Sequence, residues 1–204
     1  MSTPTQTNDT GPMPEKTHNH SGYLTGQFLV AMPSMNDPRF QRTVIFLCVH
    51  NAEGAMGLVV NRHVDSLTFD ELLEQLDISR AGIGDPISVH FGGPVESGRG
   101  FVLHSTDYMR EGTVVMDNGI GLTATVDILR DIAEGAGPQD SLLALGYAGW
   151  GPGQLDAEIQ ENAWLTVPGD ASLLFDSSLE EKWDRAVALL GFDPNLLSSD
   201  SGRA

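Results

Sequence analysis

The single cysteine of the chain, Cys48, stands two residues from His50. Thiol beside imidazole is the sharpest reactive pairing the sequence offers. In an extended strand, residues two apart share a face, so the two groups could form a nucleophile with its base, or a redox-sensing thiol. Two arguments weigh against it. Their Cα atoms would lie roughly 6.6 Å apart, beyond hydrogen-bond reach unless side chains bend inward or a bulge intervenes. The run Val44 to Val49 is also so apolar that burial would raise the thiol pKa. A buried cysteine acting as a small hydrophobe beside Phe46 is favoured, with Cys48 and His50 kept as candidate catalytic residues.

His50, His63, His90 and His104 all fall within or beside expected strands, but none is tightly spaced to another. His18 and His20 sit in a polar leader without further ligands nearby, so no metal site is expected. A Gly-x-Ser-x-Gly elbow is absent, which removes that class of serine hydrolase. Gly93 to Gly98 has the spacing of a phosphate loop, yet Arg99-Gly100 stands where Lys-Ser/Thr is required. Gly119-Ile-Gly121 precedes a helix as a dinucleotide fingerprint would. The acid expected at the end of the next strand is missing, because Asp140 precedes that strand. Turns explain these glycines more simply, and no cofactor is expected.

The segment Gly146-Tyr-Ala-Gly-Trp-Gly-Pro-Gly-Gln154 combines small residues with broad amphipathic rings. After it, Gln154, Glu158 and Asn162 recur every four residues beside an apolar stripe of Leu155, Ile159 and Ala163. Two readings stay open: a cleft lined by Trp150, Gln154, Glu158 and Asn162, or an amphipathic helix whose amides tie down neighbouring loops. The second is favoured.

These residues need elements to hold them. Apolar runs predict strands at 27–32, 43–50, 56–61, 87–91, 100–105, 113–116, 141–147, 164–167 and 171–175. The run 43–50 is buried on both faces and turns at Asn51–Gly54 into its return strand. Thr68-x-x-Glu71 has capping-box spacing ahead of Phe69, Leu72, Leu73 and Leu76. Helices are also expected over 125–133, with Val126, Leu129, Ile132 and Ala133 inward, and after a Ser178-x-x-Glu181 cap, with Trp183, Val187 and Leu190 inward. Strands interleaved with helices mean a layered α+β or mixed α/β domain. Residues 1–22 are expected as a disordered leader, 23–192 as the domain and 193–204 as a flexible tail.

The 204 residues carry 11 basic against 28 acidic side chains, a formal charge of −17. Unassisted nucleic-acid binding needs a basic stripe, and Arg39 and Arg42 form the only close basic pair of the central region. Direct DNA binding is therefore disfavoured. No apolar run approaches the ~20 residues of a membrane helix, and no secretory signal is visible. With one cysteine, a reducing cytoplasm is the expected compartment.

Several blocks together resemble the bacterial AlgH/YqgE family. They are Phe28 to Pro33 with Asp37-Pro-Arg-Phe40, Cys48 to Asn51 with Gly54 to Arg62, Gly92-Gly-Pro94, Gly100 to His104, Gly146 to Trp150, and Asn162 to Leu165. The resemblance implies one domain with a mixed, barrel-like sheet and flanking helices. It also implies the family's label of transcriptional regulator, which carries no established biochemistry. The family's motif residues fall on Cys48, His50, Asn51, Asn61, Arg62, Gly92, Gly93, Pro94, His104, Trp150, Gln154, Asn162 and Trp164; His63 replaces a proline common after the Asn-Arg pair. The expected function is a non-enzymatic regulatory or adaptor protein acting through an unidentified protein partner or small ligand. A cleft would be formed by Asn51, Asn61, Arg62, Gly92, Gly93, Pro94, His104, Trp150, Gln154, Glu158 and Asn162. The alternative is an enzyme or redox sensor using Cys48 and His50.

Overall fold

Alternation along one strand organises the molecule. In Val44–Asn51, the side chains of Val44, Phe46 and Cys48 enter one core while Ile45 and Leu47 enter another. A strand buried on both faces needs cover on both, and the rest of the chain supplies it. The computed structural model describes residues 23–80 and 87–191. The expected leader and tail lie outside them.

The strands are β1 (Phe28–Ala31), β2 (Val44–Asn51), β3 (Gly54–Val59), β4 (Val89–Phe91), β5 (Val95–Ser105), β6 (Val114–Val115), β7 (Ile120–Thr123), β8 (Ser141–Trp150) and β9 (Trp164–Val167). The helices are α1 (Phe69–Gln75), α2 (Val126–Ala133), α3 (Gln154–Gln160), α4 (Ala171–Leu174) and α5 (Leu179–Ala188). One sheet runs β6-β7-β5-β8-β3-β2-β1-β9, with β4 added beside β8. The pairings are antiparallel except β4 with β8, so the sheet is mixed, as expected.

The sheet curls into a half-barrel. Asn118, in the β6–β7 turn, donates from Nδ2 to the Gly26 carbonyl just ahead of β1, at 2.9 Å. The two ends of the strand order therefore meet. Inside the curl, Phe28, Phe46, Leu58, Phe101, Leu103 and Leu142 pack against Leu173 and Leu174 of α4 and Trp183 of α5. Outside, Leu155 of α3 packs with Trp150 of β8 and Trp164 of β9 over β1, β2 and β3. Helices α1 and α2 cover β5 and β8 through Phe69, Leu73, Ile128 and Leu129. This is a single α+β domain.

Local signals explain most boundaries. Thr68 and Glu71 make the reciprocal capping box, fixing the start of α1. Three expectations need correction. Residues 171–175 are not a strand: Asp170 accepts from Leu173 N at 2.9 Å, and this N-cap opens α4. Val126 is exposed, because the buried stripe of α2 runs through Ile128, Leu129 and Ala133. Ser178 is the N-cap residue of α5 but makes no side-chain capping bond.

Candidate functional site

A bulge decides the fate of Cys48 and His50. Leu47 lies opposite Gly57 and Val49 opposite Met56, leaving Cys48 as the extra residue in β2. Side-chain parity changes there. Cys48 faces the interior beside Phe46, and Val49 shares the inner side with its partner Met56. His50, opposite Ala55, faces outward toward α3. The two groups that two-residue spacing would unite lie on opposite sides of the sheet. Burial pushes the Cys48 thiol up to about 12, so no thiolate forms at neutral pH.

His50 has a structural assignment of its own. Its Nδ1 accepts from Leu24 N at 3.1 Å, its backbone N–H donates to Thr25 Oγ1 at 2.9 Å, and Tyr23 meets its ring edge-on. Its Nε2 lies 3.6 Å from Asp156 of α3.

The polar stripe of α3 is a clamp centred on one carboxylate. Glu158 Oε2 accepts from the indole N–H of Trp150 at 2.9 Å and of Trp164 at 2.8 Å. Its Oε1 accepts from Gln154 Nε2 at 2.8 Å, and Gln154 Oε1 accepts from Gly151 N. The two indoles meet edge to face. Asn162 follows the C-cap at φ 58°, in the left-handed region. Its N–H donates to Ile159 O while that of Ala163 donates to Glu158 O, the paired bonds of a Schellman stop. Gln154 thus ties the Gly151 backbone to α3, and Glu158 joins the two indoles.

The other motif residues also hold backbone. Asn61 accepts from Val44 N at 2.8 Å and donates to Arg42 O. Arg62 donates to the carbonyls of Arg39 and Gln41 at 2.8 and 2.7 Å, fastening the β1–β2 loop, and burial lowers its pKa. Gly92 and Gly93 lie against β8 so closely that a Cβ would come within 2.2 Å of Gly146 O or 2.1 Å of the Tyr147 carbonyl carbon. Pro94, next to them, is exposed. His104 is fully buried, bonded to Ser105 O and Thr123 Oγ1, each at 2.9 Å. Its ring lies where a Cβ on Gly121 would be, which explains the fingerprint-like glycine without a nucleotide.

An open groove of about 570 Å³ lies where β2 turns into β3. Val49, Asn51, Val95, Arg99, Tyr147 and Trp150 contribute to its walls. Asn51 and Trp150 are the expected cleft residues that reach it. Asn61 and Arg62 instead line a separate concavity with Arg42, His63 and Trp183 at the opposite end of the strands. Val49 and Val95 remain 39% and 37% exposed, an apolar surface left uncovered at a concave place.

Two features escaped sequence reasoning. Lys182 is fully buried, its ammonium donating to Leu174 O at 2.8 Å and Val60 O at 3.1 Å. Burial pushes its pKa down to about 8, against the pull of Asp176. The signal was present: Lys182 interrupts the helical apolar stripe Leu179, Trp183, Ala186 and Val187. The second feature is the pairing of His63 with His90 across an antiparallel bridge, with ring centroids 5.1 Å apart. Burial, and then His63, lower the pKa of His90 to about 4. Among the described residues, no three His, Cys, Asp or Glu side chains are grouped to hold a metal.

Comparison with known proteins converges on one family. The sequence profile described as AlgH-like matches residues 28–195. A UPF0301 protein of Rhodospirillum rubrum is 54% identical over 94% of this chain and the whole of that protein. One from Jannaschia is 55% identical over 94% of this chain and 99% of its own. Among solved structures, the AlgH protein of Pseudomonas aeruginosa superposes with a TM-score of 0.72 at 42% identity, covering 94% of this chain and all of that one. A protein of Corynebacterium diphtheriae shares the fold, with a TM-score of 0.70 at 20% identity over 86% of this chain and 92% of its own.

Proposed function

This chain belongs to the AlgH-like family, and on that premise we propose that it is a cytoplasmic, non-enzymatic adaptor whose β2–β3 groove receives a protein partner. One observation carries the reading. The Cys48–His50 pair is split across the sheet, while partly exposed Val49 and Val95 line an open groove. Any influence on transcription is then indirect. The charge of −17 opposes phosphate, and both central arginines already face carboxylates, Arg39 on Asp37 and Arg42 on Asp184. The redox alternative finds no support in the geometry, since Cys48 has neither exposure nor an adjacent base.

Affinity capture from native lysate tests the proposal, read for proteins and for small molecules. Val49→Asp and Val95→Asp should lose a partner that wild type and Gln154→Ala retain. Capture of a metabolite alone would replace the protein partner with a ligand. Specific promoter occupancy by the isolated protein at cellular ionic strength would overturn the indirect mode.

A further inference from the structure

We propose that His63 and His90 form a two-histidine site for a first-row divalent cation of the zinc, nickel and copper(II) class. The two residues lie directly opposite each other on antiparallel segments. Phe91 N donates to Arg62 O and Val64 N to Val89 O, so the flanking bonds leave His63 and His90 as a non-hydrogen-bonded pair. That is the closer kind of cross-strand pair, with Cα atoms about 4.5 Å apart. Their ring centroids are 5.1 Å apart and the planes are inclined by 32°. Two imidazoles binding one tetrahedral ion at about 2.1 Å place their ring centres roughly 5 Å apart, which matches the separation of this pair.

The nitrogens are also suited to the task. His90 Nδ1 lies 3.2 Å from Leu143 O; that carbonyl can only accept, so the proton sits on Nδ1 and Nε2 keeps its lone pair. A ligating histidine held by a carbonyl on its other nitrogen is the usual outer-shell arrangement around metals. His63 is exposed, which gives an ion a route from solvent. A cavity of about 190 Å³ adjoins both rings and carries Ser88, Ser141 and Asp176 on its walls. With no third protein ligand grouped there among the described residues, water fills the remaining positions and the site stays open. The Lys182 ammonium near His90 opposes a cation, whereas the net charge of −17 draws cations to the molecule.

The test is a calorimetric titration of the chelator-stripped full chain with zinc and with nickel. NMR of the histidine ring protons would run in parallel. A single saturable site is expected, perturbing His63 and His90 and weakened at least about tenfold in His63→Gln. His63→Cys, which restores a ligand, should recover zinc binding. Because His63 is exposed, its variants fold even if those of buried His90 do not. Affinity that survives His63→Gln, that vanishes instead on His18→Gln with His20→Gln, or that never saturates at millimolar metal overturns the site.

Discussion

At one end of the half-barrel, α5 sets Trp183 into the interior and anchors its indole N–H on Ala31 O at 2.9 Å. Arg42 stacks on that ring and pairs with Asp184, while Lys182 reaches two backbone carbonyls beneath it. At the other end, the turn between β2 and β3 and the start of β5 leave Val49 and Val95 partly exposed. Both ends face the same problem, since the curl opens the interior to water at each. One is plugged with a helix, and even its awkward lysine finds acceptors. The other keeps apolar surface unspent, although burying it would stabilise the fold. The contrast separates a closure that serves stability from an opening to which the proposed adaptor role assigns recognition.

Three measurements break or sharpen this contrast. The largest expected effect is at the plug: Trp183→Ala should cost about 3–5 kcal/mol in urea unfolding, because it removes a fully buried ring and leaves a cavity. An equal loss from substitutions at the groove would erase the asymmetry. Next comes the pH dependence of Lys182. Its folded pKa, about 8, lies below the usual 10.5, so the unfolded chain binds more protons between those values. Stability from this group therefore rises as pH increases through that window, by roughly 3 kcal/mol at the limit. The difference between wild type and Lys182→Met, measured in chelator, should show that rise; a constant difference would mean the ammonium is not destabilised by burial. The smallest effect is at the groove. Val49→Ser and Val95→Ser should move the unfolding free energy by no more than about 0.5 kcal/mol while reducing partner capture.

The fold was more legible in the sequence than the site was, for physical reasons. Periodicity reports burial, so the two-sided strand at Val44, the return strand at Met56 and the α1 capping box could be read directly. The Asp170 cap was overlooked because the apolar residues after it fit a short strand as well as a short helix. The bulge at Cys48 has no local signature: an extra residue becomes visible only once Leu47 and Val49 have partners in β3. For the same reason, linear spacing said nothing of His63 and His90, which meet through a bridge between distant segments. Several of the motif residues, Asn61 and Arg62 among them, hold backbone. Arg62 on the loop carbonyls and Glu158 between two indoles would look like ligand-binding groups in any linear reading.

The placement of β1 has a consequence for how the chain is made. Its one edge finds β2 almost at once, but its other edge pairs with β9, near the end of the domain. On the ribosome, that edge stays bare while nearly the whole domain is translated. The nascent protein therefore carries an unsatisfied strand through most of its synthesis, and only the arrival of Trp164–Val167 retires it.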